Sequence, residues 1–128
     1  MLALVNFYRE EHGLGALVLH RDLDRAAQRY AERMSKEGFF DHKSPDGQSY
    51  ASRITEAGYQ WLSCGENLAL GQLSARQVMA EWIKSDSHRA NLLNPGFTEI
   101  GMGFAVGISP QKEKTRPYWV QEFASPQP

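Results

Sequence analysis

The side chains of this chain that could do chemistry fall in three short, polar stretches that read as loop-rich. The first is Phe39-Phe40-Asp41-His42-Lys43-Ser44-Pro45-Asp46-Gly47, the second Cys64-Gly65-Glu66-Asn67-Leu68-Ala69, and the third runs from Ser87-His88-Arg89 through Asn91-Leu92-Leu93-Asn94-Pro95 to Gly101. Imidazoles at His42 and His88 offer a metal-ligating nitrogen or a proton carrier near neutral pH. Spacing alone does not join them into a site: the stretches are too far apart for one helix face, and histidine is equally at home in structural hydrogen bonds. Several established signatures are missing, among them G-x-S-x-G, H-E-x-x-H, the Walker A loop and paired C-x-x-C. Gly101-x-Gly103 followed by Gly107 has the wrong spacing for a phosphate cradle and lies in a strand pattern. Nothing cationic adjoins Cys64 in sequence, so it reads as a small buried hydrophobe, not a nucleophile.

The elements that must position these stretches are legible in the periodicity. A first helix runs to about His12 and stops at Gly13. Asp22 opens a second, with Leu23, Ala26, Ala27, Tyr30 and Met34 at helical spacing and Gly38 where a C-cap belongs. A shorter helix is expected over Tyr50 to Ala57. Another starts at the S-x-x-Q pattern of Ser74 and Gln77, with Val78, Trp82 and Ile83 on its apolar side. After Pro95 the period becomes two: Ile100, Met102, Phe104, Val106 and Ile108 alternate with Gly101, Gly103, Ala105 and Gly107. That predicts a strand with one bulky and one nearly bare face, the bare face letting another layer approach closely. A charged loop, Ser109 to Pro117, leads to a partner strand over Tyr118 to Ala124. Helices first and strands last argue for an α+β layered domain.

Composition narrows the class further. With 128 residues, 41% of them hydrophobic and 23% charged, the chain is one ordinary domain with enough apolar surface to fold. A net charge of −1 with mixed signs gives no attraction to nucleic acid, and no apolar run reaches the length of a membrane span. A single cysteine rules out an internal disulfide. Met1 is followed by apolar, helix-like sequence instead of a charged leader, so it reads as an internal start with any targeting sequence upstream. The domain is expected over residues 1–124, with residues 125–128 a tail or linker.

In order, F-F-D-H-x-S-P-D-G, A-G-Y, G-E-N-L-A, W-x-x-S-x-x-H-R-x-N-L-L-N-P-x-F-T-E-I-G-x-G and Y-W-V-Q-x-F, preceded by L-V-N-x-x-R and H-G-L, resemble the bacterial branch of the CAP superfamily. That superfamily also holds cysteine-rich secretory proteins, venom antigens and plant pathogenesis-related proteins. The resemblance implies a three-layer α-β-α sandwich around a small antiparallel sheet, an extracellular or cell-envelope location, and a cleft in which His42, Glu66 and His88 meet. The animal and plant proteins usually carry an acid three residues after the helix Trp; here that position is Ser85, and neither Glu81 nor Glu99 matches it. Two imidazoles and a carboxylate in one cleft permit three readings. His42 and His88 could ligate a divalent metal such as Zn²⁺; Glu66 could bond one imidazole and tune it for acid–base hydrolysis without metal; or the three could form a polar network that ties loops to the sheet. The expectation is an extracytoplasmic module that binds a small-molecule, lipid or protein ligand through this cleft. A hydrolase and a purely structural surface domain are the alternatives.

Overall fold

The 17-residue helix α2 (Arg21–Glu37) organises the layers. Leu23, Ala26, Ala27, Tyr30, Ala31 and Met34 recur on one face and are all buried. His20 caps its start, its ring nitrogen accepting from the Asp22 N–H. Gly38 closes it in the left-handed conformation, its N–H returning to the Met34 carbonyl. The computed structural model describes all 128 residues. Around α2 stand α1 (Leu2–Glu11), α3 (Tyr50–Glu56), α4 (Ala75–Lys84) and α5 (Asp86–Leu92), with strands β1 (Val18–Leu19), β2 (Trp61–Leu70), β3 (Glu99–Ile108) and β4 (Thr115–Pro126).

The strands form one sheet in the order β1-β3-β4-β2. β3, β4 and β2 are antiparallel, and the two-residue β1 adds a parallel pairing at Glu99 and Ile100. α2 and α3 cover one face, where Tyr30, Leu68, Tyr118 and Val120 pack together. The other face carries a larger cluster in which Val5 of α1, Val78 and Trp82 of α4 and Leu92 of α5 meet Ile100 and Phe123. This is the expected α-β-α sandwich.

The glycines of β3 set the distance between α2 and the sheet. A Cβ on Gly101, Gly103 or Gly107 would lie 2.0 to 2.3 Å from the backbone of Leu23, Ala27 or Ser35. Where β1 ends, α2 also satisfies the open edge of β3: Asp24 accepts from the Met102 N–H, and Gln28 both accepts from and donates to the Phe104 backbone. Side chains one helical turn apart thus stand in for a missing strand.

The structure departs from the sequence reading in three places. G-E-N-L-A lies in the strand β2 and not in a loop; its mixed polar and apolar residues hide a strand whose two faces meet different layers. His88 sits on a helix of its own, α5, too short for a periodic signal. β4 runs on to Pro126, with Ser125 buried and hydrogen-bonded to Ser63, so the first half of the expected 125–128 tail belongs to the sheet.

Candidate functional site

Alternation along β2 sends the G-E-N residues to opposite layers. Gly65 faces α5, where an added Cβ would meet Asn91 and the Phe97 ring at 2.9 and 3.0 Å. Glu66 faces α3. Its side chain is wholly buried, Oε1 accepting from His42 Nδ1 at 2.7 Å and Oε2 from an Arg53 NH₂ group at 2.7 Å. Arg53 donates as well to the carbonyls of His42 and Gln48, and its guanidinium lies 3.3 Å from the centre of the Tyr30 ring. A buried carboxylate is tolerable because both its oxygens meet donors on cationic groups. Asn67 turns back toward α5, donating to the His88 carbonyl and to Gln121 while accepting from Asn91.

β2 is an edge strand, and the cleft lies across that edge. His42 approaches from the loop between α2 and α3, and His88 from α5 on the opposite layer. Two outward carbonyls of the edge are spoken for: Asn91 donates to Glu66 O at 3.0 Å and the Trp82 indole to Leu68 O at 3.0 Å. A groove of about 390 Å³ lies alongside, lined by Phe40, Leu68, Trp82, Ser85 and His88 among others. α5 itself is anchored from below by Arg9, buried in α1, whose guanidinium donates to the carbonyls of Gly15, Leu92 and Asn94.

The two imidazoles differ in environment. His42 is half-exposed, and its hydrogen bond to Glu66 holds its pKa above the ordinary histidine value against the opposing effect of burial. His88 stacks against Trp82, and burial, followed by the charge of His42, holds its pKa below that value. Its Nδ1 is hydrogen-bonded at 2.8 Å to the Ser85 hydroxyl. Each ring therefore has Nδ1 engaged with an oxygen and Nε2 free of protein partners.

Of the expected trio, the structure brings His42 and Glu66 into contact and places His88 across the strand edge, hydrogen-bonded to neither. No group of three or more His, Cys, Asp or Glu is disposed to hold a metal ion. Glu99 bonds the Tyr59 hydroxyl away from the cleft, whereas Glu81 lines the groove beside His88 and bonds Gln72. Arg89 pairs with Asp86 at 2.6 Å. Cys64 is half-buried, and burial, aided by the charge of Glu66, pushes its thiol up to about 11.

Three contributors escaped the sequence reading: Arg53, Ser85 as the partner of His88, and Glu122. Glu122 lies opposite Glu66 in the β2–β4 pairing, fully buried, with neither carboxyl oxygen hydrogen-bonded. Burial and the neighbouring Glu66 charge hold its pKa well above the ordinary range, so it is neutral. A signal for it existed: Gln121-Glu122 interrupts an otherwise apolar strand, and adjacent polar residues on both faces of a central strand must each be buried. Arg53 had no such signal, sitting in a short helix of mixed composition.

A family model described as the cysteine-rich secretory protein family (CAP) matches residues 2–123. The uncharacterized protein YkwD of Bacillus subtilis is 32% identical over 123 residues, covering 96% of this chain and 45% of that protein. Human Golgi-associated plant pathogenesis-related protein 1 is 30% identical over 95 residues, covering 73% of this chain and 53% of its own length. The chain thus spans about half, or less, of the curated relatives it matches. Among solved structures, an extracellular protein containing an SCP domain from Bacillus anthracis superimposes with a TM-score of 0.81 at 27% identity, over 96% of this chain and 38% of that one. An outer surface protein of Borrelia burgdorferi shares the fold, with a TM-score of 0.83 at 21% identity over 98% of this chain and 90% of that one.

Proposed function

The chain belongs to the cysteine-rich secretory protein (CAP) family, and from that premise we propose that it is an extracytoplasmic binding module whose ligand is taken at the His42–His88 cleft, a divalent metal such as Zn²⁺ being the first candidate. The observation that carries this reading is the matched anchoring of the imidazoles. His42 Nδ1 is held by Glu66 and His88 Nδ1 by Ser85, which leaves both Nε2 atoms as the unsatisfied nitrogens. Imidazoles oriented through one nitrogen present the other to a metal or to a hydrogen-bonding ligand.

The donor set fits a weakly held ion. Two imidazole nitrogens would leave the remaining positions of a four-coordinate Zn²⁺ to water or to a ligand from outside. The lowered pKa of His88 favours its neutral, ligating form, whereas the bond to Glu66 favours the protonated form of His42 and so opposes metal binding there. Acid–base hydrolysis is the second reading: the His42–Glu66 hydrogen bond and the raised His42 pKa are what it requires, and turnover without metal would distinguish it from metal binding. The extracytoplasmic setting draws on neighbours described as extracellular and outer-surface proteins. No helix is long and apolar enough to cross a membrane.

Calorimetric titration with Zn²⁺ at about pH 7.5, roughly one unit above the ordinary histidine pKa, tests the reading. The wild type should bind measurably and gain thermal stability, and binding should fade by about pH 5 as both imidazoles take up protons. His42→Ala/His88→Ala should fold and lose the heat of binding. Identical isotherms for the two proteins would leave the cleft as a structural network.

A further inference from the structure

One buried ionisable group lies next to the cleft without a part in it so far. Glu122 of β4 stands directly opposite Glu66 in the antiparallel β2–β4 pairing and is 0% exposed. Cross-strand partners project from the same face of a sheet, so both carboxyl groups enter the interior on the α3 side. Neither Glu122 oxygen meets an N–H or O–H of another residue.

The groups that bear on Glu122 are Glu66 and Cys64 from β2 and Arg53 and Tyr50 from α3. Arg53, the cation among them, directs its terminal nitrogens to Glu66 and to the carbonyls of His42 and Gln48. An ionised Glu122 would therefore be a second negative charge beside Glu66, out of water and without a donor. Two carboxyl groups in such a site do not both ionise. Glu66 keeps the charge, because Arg53 and His42 each donate to it at 2.7 Å. The proton falls to Glu122, and it turns an acceptor-only group into a donor that faces the Glu66 carboxylate.

We propose that Glu122 is a positioning residue of the cleft: its carboxyl O–H donates to Glu66, the third donor on that carboxylate beside Arg53 and His42, and so sets how strongly Glu66 holds His42 Nδ1. A carboxylate stabilised by a further hydrogen bond is a weaker base, so Glu122 loosens the hold of Glu66 on the imidazole. The chain Glu122–Glu66–His42 thereby carries the state of an inaccessible carboxyl to a side chain that is 52% exposed in the cleft. This deepens the proposed ligand site, and its bearing on a ligand rests on that reading.

Carbon-13 NMR of the carboxyl carbons at about pH 7, well above the ordinary glutamate pKa, tests where the proton lies. Glu122 should resonate as a carboxylic acid and Glu66 as a carboxylate. This reading needs the wild type alone, so it stands whether or not a variant folds. Glu122→Gln keeps a donor of the same shape, and Glu122→Met removes it at similar volume. The ¹⁵N shift of His42 Nδ1, read with the ring protonated in each protein, should match between wild type and Glu122→Gln. In Glu122→Met it should move in the direction of a stronger hydrogen bond. An ionised Glu122, a proton on Glu66 instead, or an unmoved His42 shift in Glu122→Met would overturn the inference. These measurements use no zinc, so a cleft that binds no metal would end the ligand reading while the carboxyl signals still decide this one.

Discussion

Replacing Gly103 by alanine tests the packing of α2 on the sheet with a single methyl group. The new Cβ would sit 2.3 Å from the Ala27 carbonyl oxygen and 2.4 Å from its carbon. Carbon–oxygen contacts normally begin near ~3.3 Å, so α2 and β3 must separate by about 1 Å. Both are rigid backbone, and no flexible side-chain end is available to yield. The same separation stretches the hydrogen bonds from Met102 N–H to Asp24 and from Phe104 N–H to Gln28, each 2.9 Å now, and the 3.0 Å bond from Gln28 to the Phe104 carbonyl. Overpacking costs roughly 1–3 kcal/mol, and each weakened bond up to about 1 kcal/mol, which puts the loss near 3–5 kcal/mol. For a domain of this size that lowers Tm by about 10 °C or more. Gly15→Ala is the control: nothing lies within 4 Å of its Cβ position and its φ is not positive, so a change of less than about 1 kcal/mol is expected, in the stabilising direction. Thermal and urea unfolding followed by circular dichroism read both. A Gly103→Ala protein that melts within about 2 °C of wild type would refute the claim that backbone contact fixes the spacing.

NMR titration should find His42 protonating above the ordinary histidine pKa and His88 below it, and Ser85→Asp should raise His88 by placing a carboxylate on its Nδ1; an unmoved His88 would show that Ser85 does not set its charge. The His42–Glu66 interaction stabilises the fold below about pH 6.5 and that contribution disappears as pH rises through the raised His42 value, so Glu66→Gln should lose most relative to wild type on the acid side. Glu122→Gln keeps a neutral side chain of the same shape; because the raised Glu122 pKa makes the wild type progressively less stable above about pH 4.3, the variant's Tm advantage should grow with pH, and a flat difference would mean that Glu122 is not held protonated. Cys64 should react with a thiol reagent on the order of a hundredfold more slowly in the native protein than after denaturation, because a thiol at about 11 is scarcely ionised at neutral pH; equal rates would exclude that reading.

What the sequence made legible followed from strong periodicity or from terminal chemistry. The α2 face, the Gly38 stop, the Ser74 cap and the bare face of β3 each rest on a local rule, and the structure has each of them. The Ser74–Gln77 pairing differs in one detail: Ser74 accepts from the Gln77 N–H, but Gln77 reaches back to the N–H of Leu73. β2 was missed because its alternation is not between core and solvent. Gly65 and Asn67 face one helical layer and Glu66 another, so a strand buried on both faces carries polar residues with no binary pattern. The charge partners of the cleft were missed for a related reason. Arg53 meets Glu66 across 13 residues and Glu122 faces it from a strand 56 positions away, and no local rule pairs residues across such separations.

The burial of Glu66 bears on what can vary in this cleft. Its carboxylate is held by Arg53 and His42 beneath an edge strand two of whose outward carbonyls, those of Glu66 and Leu68, are taken by Asn91 and Trp82. Those side-chain bonds occupy part of the edge that would otherwise be open to pairing with another chain. They also lock the strand register that puts Glu66 on the α3 side. The ion pair thus serves the fold first: without Arg53, the buried Glu66 carboxylate would lose its guanidinium partner while facing the Glu122 carboxyl across the strand pair. The groups that the fold orients without consuming are the two Nε2 atoms, which is why the proposed ligand site is placed there. Of these, His42 belongs to the structural charge network, which raises its pKa, whereas His88 is tuned by burial and its Nδ1 is held by a serine hydroxyl. The two imidazoles are thus tuned in opposite directions, and exchanging Ser85 for a carboxylate would reduce that asymmetry while leaving the buried network untouched.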